Sequence, residues 1–199
     1  MRSALVVVDV QESFRQRASW ETVSDPDVAD KVDRLVRAAR DRGDLVVWVL
    51  HAEPGTGNVF DPARGYVRLI EGLVDPADDE PVLVKTVHNA FTTTDLQARL
   101  DEQGIRHVVV CGIRTEQCCE TTARLASDLG YDVTFVVDAT ATMPIEHPDA
   151  PVGRPVAEIL ADPRTLSTDA VIERTVYALA GRFATVRTVE EMTAAVAAG

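Results

Sequence analysis

Five short runs of branched, apolar residues punctuate the first two-thirds of the chain, and each stops at or beside a residue of another kind. They are Ala4–Val8 before Asp9, Leu45–Leu50 before His51, Val82–Val84 before Lys85, His107–Cys111 before Gly112, and Asp132–Val137 before Asp138. Continuous apolar runs of this kind, without polar alternation, belong to strands buried on both faces. Between them lie segments with helical spacing. Val28, Val32, Leu35, Val36 and Ala39 form one stripe within Asp27–Arg42, closed by Gly43. Leu96 and Leu100 fall in another that Thr94 or Asp95 can cap and Gly104 can close. A third helix is expected to start at Ser167 or Thr168 and end at Gly181, followed by a sixth strand over Phe183–Arg187 and a last helix over Val189–Ala198. Strands alternating with helices predict an α/β fold: a doubly wound, parallel, six-stranded sheet with helices on both faces.

Two stretches break the rhythm. Residues 52–80 are rich in Pro, Gly and Asp, and residues 143–166 carry five prolines. Loops this long are usually functional or contain short helices. No internal repeat or linker divides the 199 residues, so residues 1–199 are expected to form one domain. The 32 acidic against 20 basic residues give a net charge of −12, which argues against nucleic acid or an anionic membrane as partner. The N-terminus enters a strand at once, without the pattern of a cleaved leader, and a cytoplasmic location is expected. The three cysteines, Cys111, Cys118 and Cys119, are odd in number and clustered. That is neither a disulfide framework nor a zinc-ligand spacing.

The stretch from His107 to Tyr131 is the most informative. It reads as strand, tight turn and helix, with Thr115 as N-cap and Gly130 just past the helix end. On that register Cys118 lies in the first helical turn, where unpaired N–H groups and the helix dipole stabilise negative charge. A lowered pKa and a reactive thiolate are therefore expected. The competing reading is a small core residue, since free cysteine is among the most buried residue types. Adjacent helical positions point about 100° apart, so Cys119 is expected to face the sheet as packing. Lysine is scarce: only Lys31 and Lys85 among the 20 basic residues. Lys31 belongs to a charged helix face. Lys85 ends an apolar run, where a compact ammonium can shift its pKa. In parallel sheets ligands bind beyond the carboxyl ends of the strands. Asp9, His51, Lys85, the Gly112–Cys118 turn and Asp138 are the polar groups expected there.

With these residues in view, the chain resembles the isochorismatase-like cysteine hydrolases, a superfamily that includes nicotinamidases and N-carbamoyl amide hydrolases. The likeness covers most of residues 4–140. VVVDVQESF is similar to the family's aspartate strand, KTVHNAFTTTDL to its lysine segment with Asn89 in place of the usual Ser, and CGIRTEQCCETTARLASDLGY to its nucleophile elbow. The resemblance implies Cys118 as nucleophile, Asp9 as base, and Lys85 as the cation holding both. It also implies a cis peptide between Ile113 and Arg114, with the backbone N–H groups of Arg114 and Cys118 forming an oxyanion hole. Gln11, Phe14, His51 and Phe91, from the same motifs and strand ends, are expected to line the substrate pocket.

Two departures narrow the reaction. Metal-dependent nicotinamidases carry an Asp-x-His cluster after the second strand, where this chain has HAEPGTGNVF with one His. No metal or other cofactor is expected. Members that cleave a vinyl ether often lack the cysteine, so its presence favours an acyl-enzyme route on a C–N bond. The expectation is a hydrolase of a small amide, carbamoyl or lactam substrate. The alternatives are isochorismatase-type vinyl-ether hydrolysis and a non-catalytic binding protein on the same fold. The proline-rich arm at 143–166 is long enough to reach a neighbouring copy, and a homodimer or higher homo-oligomer is expected.

Overall fold

The computed structural model describes residues 2–194. Six strands form one sheet: β1 (Ala4–Val8), β2 (Leu45–His51), β3 (Val82–Lys85), β4 (His107–Ile113), β5 (Asp132–Ala141) and β6 (Thr185–Arg187). Their spatial order is β3-β2-β1-β4-β5-β6 and every pairing is parallel. The order reverses between β1 and β4, so the crevice at a doubly wound sheet's switch point opens above those two strands.

The α-helices are α1 (Glu12–Arg15), α2 (Val28–Arg42), α3 (Leu96–Glu102), α4 (Glu120–Asp128), α5 (Val156–Ala161), α6 (Thr168–Leu179) and α7 (Val189–Ala194). The expected continuation of the last helix to Ala198 lies outside the described residues. Strand side chains alternate between two cores. Ala4, Val6 and Val8 of β1 join Leu96 and Leu100 of α3, Ala123 and Ala126 of α4, and Leu179 of α6. Leu5 and Val7 face the other way, onto Val28, Val32, Leu35, Val36 and Ala39 of α2 and Val189 of α7. Both faces are covered, which is why the central strands carry no polar alternation.

The stretch 52–80 remains irregular apart from a 3-10 turn at Pro62–Arg64, and the arm 143–166 contains α5. Two sequence expectations need correction. β5 does not end before Asp138. It bulges between the Val110–Phe135 and Gly112–Thr140 pairs and continues to Ala141. The Asp138 carboxylate is used elsewhere, accepting the Val189 N–H at 2.8 Å at the start of α7. Nor does Thr115 cap α4. Thr115–Cys119 form a wide π-helical turn, marked by a Cys119 N–H bond to the Arg114 carbonyl at 3.2 Å. The Thr115 hydroxyl is buried and donates to the Thr140 hydroxyl at 2.9 Å.

Candidate active site

Three carboxyl ends converge because of two unusual backbone positions. Asp9 follows β1 with φ of 53°, a left-handed conformation that Asp tolerates better than most residues. The chain turns there, held by Asp9 N–H to the Val49 carbonyl at 2.8 Å. Gly112, in β4, has φ of 128° and sits so close to β1 that a Cβ on it would lie 1.9 Å from the Val8 carbonyl oxygen. That close approach sets the turn after β4 directly beside Asp9. The Ile113–Arg114 peptide bond is cis. Lys85 arrives from β3, in register with His51 of β2.

The result is a buried cluster. Lys85 Nζ donates to Asp9 Oδ2 at 2.7 Å and to Cys118 Sγ at 3.4 Å, and lies 3.4 Å from His51 Nδ1. The side chains of Lys85 and Asp9 are both sealed from solvent, and Cys118 is only 6 % exposed. Asp9 Oδ1 has no hydrogen-bond partner. Burial pushes the Asp9 carboxyl above its usual range, with Lys85 pulling it part of the way back. Burial also pushes the Cys118 thiol up, and the neighbouring Asp9 charge adds to the shift while Lys85 opposes it. This reverses the lowered thiol pKa expected from the helix position. The turn is enclosed, and Asp9, which shares the Lys85 ammonium with the sulfur, opposes a negative charge there.

The other two cysteines are packing. Cys111 and Cys119 are fully buried; burial alone raises Cys111 to about 12, and Cys119 is also raised. Cys119 lies in the core on the α3/α4 face.

The four residues expected to line the pocket separate into different roles. His51 borders the cluster, with its Nε2 3.1 Å from Glu53 Oε1. Phe14 meets Phe60 edge-on, ring centres 5.1 Å apart, and Phe60 in turn meets the His51 ring at 5.6 Å, so an aromatic row runs from Phe14 to His51. Gln11 is a strut. Its amide oxygen accepts the His51 N–H at 2.6 Å and its nitrogen donates to the His51 carbonyl at 3.0 Å, pinning the end of β2 to the turn after β1. Phe91 stacks on Tyr131 within the α3/α4 core, ring centres 6.0 Å apart. Asn89, the departure from the family's Ser, accepts the N–H groups of Phe91 and Thr92 at 2.9 and 2.8 Å and closes the turn after Lys85.

Beyond the cis bond, Arg114 donates to the Met143 carbonyl at 2.9 Å and pairs with Glu116 at 3.0 Å. Arg114 and Gln117, the residue before Cys118, border a pocket of about 260 Å³ whose other walls include Arg17, Met143, Ile145 and Val156. Sequence reading did not single out Arg17 or Gln117 as pocket residues. Among the described residues no group of three or more His, Cys, Asp or Glu is placed to hold a metal ion, and no helix is long and apolar enough to cross a membrane.

The isochorismatase domain model matches residues 3–160. The chain belongs to the isochorismatase family. It is 40% identical over 151 residues to a streptothricin hydrolase of Streptomyces noursei, covering 74% of this chain and 52% of that protein. It is 30% identical over 172 residues to the ureidoacrylate amidohydrolase RutB of Klebsiella pneumoniae, covering 70% of this chain and 73% of that one. Among solved structures, a cysteine hydrolase from Pseudomonas syringae superposes with a TM-score of 0.82 at 26% identity, over 98% of this chain and 92% of that one. The chain is thus an isochorismatase-family hydrolase by descent, and its Asp9, Lys85 and Cys118 converge in one buried cluster.

Proposed function

We propose that this isochorismatase-family protein cleaves the C–N bond of a small amide, carbamoyl or lactam substrate through an acyl-enzyme on Cys118. The observation that carries the reading is the Lys85 ammonium, which bridges Asp9 Oδ2 and Cys118 Sγ inside a sealed site. Asp9 has one oxygen without a partner, and that oxygen is free to take a proton.

The steps follow from these groups. Asp9 takes the Cys118 proton, and Lys85 stabilises the new thiolate as the proton leaves. Sulfur attacks the carbonyl carbon, and the backbone N–H groups of Arg114 and Cys118 receive the oxyanion. Asp9 then gives its proton to the departing nitrogen, and the C–N bond breaks. Water attacks the thioester, its proton passes to Asp9, and the C–S bond breaks as sulfur is reprotonated. The raised pKa values of Asp9 and Cys118 fit this sequence, because each carries the proton at a different stage.

The test is ammonia release from a panel of small amides, with kcat/KM measured for Cys118→Ala and Asp9→Asn. Loss of nearly all turnover in both supports the acyl-enzyme. A Cys118→Ala protein with close to wild-type amide turnover would falsify it. Vinyl-ether hydrolysis makes the opposite forecast: Asp9→Asn is fatal and Cys118→Ala is mild.

A further inference from the structure

A lysine ammonium has three N–H groups to place and no acceptor. In Lys85 two of them serve the chemistry above, on Asp9 Oδ2 at 2.7 Å and Cys118 Sγ at 3.4 Å. The third direction meets His51 Nδ1, also at 3.4 Å. The Lys85 side chain is sealed from solvent, so an N–H without an acceptor there would be a bare donor on a buried charge, which is costly.

That contact dictates the state of the histidine. An ammonium only donates, so Nδ1 has to present its lone pair, and the ring proton then sits on Nε2. Nε2 lies 3.1 Å from Glu53 Oε1, and a carboxylate only accepts. Both ends of the ring therefore demand the same tautomer. Glu53 is held in turn. Asn58 Nδ2 donates to its other oxygen at 2.5 Å, and this bond chiefly, with the His51 bond adding to it, keeps the carboxyl below its ordinary range. The backbone fixes the line of groups. Gln11 grips the His51 peptide on both sides, and the Ala52 N–H donates to the Lys85 carbonyl at 2.9 Å. The Glu53 N–H donates to the carbonyl of Phe60, whose ring packs on His51. Glu53 is 39 % exposed, the His51 side chain 14 % and Lys85 0 %, so the row leads from the rim to the sealed centre.

We propose that Glu53 and His51 are positioning residues for Lys85: the Glu53 carboxylate fixes the Nε2–H tautomer of His51, and the bare Nδ1 takes the third N–H of the ammonium, keeping it aimed at Asp9 and Cys118. Both residues act through Lys85 alone. Their importance for turnover rests on the amide-hydrolase reading, in which the ammonium has to stay charged and in place while the proton leaves sulfur. Their effect on the sulfur does not rest on it.

Two measurements test this on the full-length protein. Nitrogen NMR with isotope-labelled histidine, at about pH 8 and so above the ordinary range of histidine, reads the tautomer. His51 should show a bare Nδ1 and a protonated Nε2, with His51→Leu assigning the signals. Peptide mapping of iodoacetamide labelling reads the support given to the thiolate. His51→Leu should slow labelling of Cys118 about tenfold, the lower end of what a hydrogen bond to a charged group contributes, and Glu53→Ala about threefold. His51→Asn sets an amide oxygen at the same reach from Cβ as Nδ1, so it should restore most of the rate. Its side chain does not extend to Glu53, so adding Glu53→Ala to it should change nothing. Circular dichroism checks the folds, and if His51→Leu fails to fold the other variants carry the test. A proton on Nδ1 in the wild type, a wild-type labelling rate in His51→Leu, no rescue by His51→Asn, or equal slowing by Glu53→Ala in both backgrounds overturns the proposal. The expected pattern in a chain that cleaves no amide upholds the positioning and sinks the hydrolase reading. Amide cleavage with labelling indifferent to His51→Leu does the reverse.

Discussion

Replacing Lys85 with Met keeps a long unbranched side chain but removes the ammonium from a site that has no solvent to compensate. Lys85 Nζ is the hydrogen-bond partner of Asp9 Oδ2, and Asp9 Oδ1 has none, so the variant leaves a buried carboxylate with both oxygens bare. Removing one member of a buried ion pair costs about 3–5 kcal/mol. For urea unfolding of a chain this size that is a midpoint shift on the order of 1–2 M. The loss must also depend on pH, with a definite sign. Asp9 is already raised by burial in the wild type, and without Lys85 it rises further. Its unfolded value is about 3.9. Between the two values the folded state holds a proton that the unfolded state has released. Stability then falls as pH rises, by about 1.4 kcal/mol per unit, until the folded pKa is passed. The deficit of Lys85→Met relative to wild type should therefore shrink as pH is lowered from 8 toward 5. Asp9→Asn added to Lys85→Met should remove the slope and recover most of the stability, which assigns the pH dependence to Asp9. A deficit below about 1 kcal/mol, or one that is flat with pH, would show that the carboxylate is not buried and unpaired as described.

Two further outcomes follow from the same geometry. Gly112→Ala puts a Cβ 1.9 Å from the Val8 carbonyl oxygen and should cost more than about 4 kcal/mol, or leave no folded protein, as chemical denaturation or expression would show. Gly43→Ala is the control: its φ is 72° but nothing lies within 4 Å, so about 1–2 kcal/mol is expected, and equal losses at the two sites would refute the close approach of β4 to β1. Iodoacetamide should label Cys118 before Cys111 or Cys119, which are fully buried, and its rate should still be climbing with pH above neutrality because the thiol is raised. Peptide mapping that found a labelling plateau below pH 7 would mean a stored thiolate and contradict the raised thiol.

What the sequence could and could not reveal divides along a physical line. β1, β2 and β4 were legible because their continuous runs of Val and Leu pack between two layers of helices, whereas β3 carries the same kind of run at the sheet edge, where Val82 and Val84 are exposed and only alternate residues are buried. Once those strands are parallel, Asp9, Lys85 and the turn before Cys118 must emerge at one end, so their convergence was legible too. The bulge in β5 was not, because Asp138 reads as a strand stop unless one knows that α7 returns to use its carboxylate. Gln11 and Phe91 were placed in the pocket because they share motifs with Asp9 and Lys85. Sharing a motif fixes neighbourhood along the chain but not the direction of a side chain, and one became a strut and the other core. The direction of the Cys118 shift differs from the helix-start expectation for a related reason. A helix-start position is a local property, whereas burial and the charge of Asp9 arrive only with the tertiary structure, and here the second pair outweighs the first. Arg17 shows the same limit from the other side. Nothing in FRQRASW distinguishes one arginine from its neighbour. Arg15 points back to Glu12 at 3.8 Å, while Arg17, two residues on, opens into the pocket beside the nucleophile turn. An arginine's role is set by which carboxylates the fold leaves within its reach, and in this pocket the fold has already assigned them all.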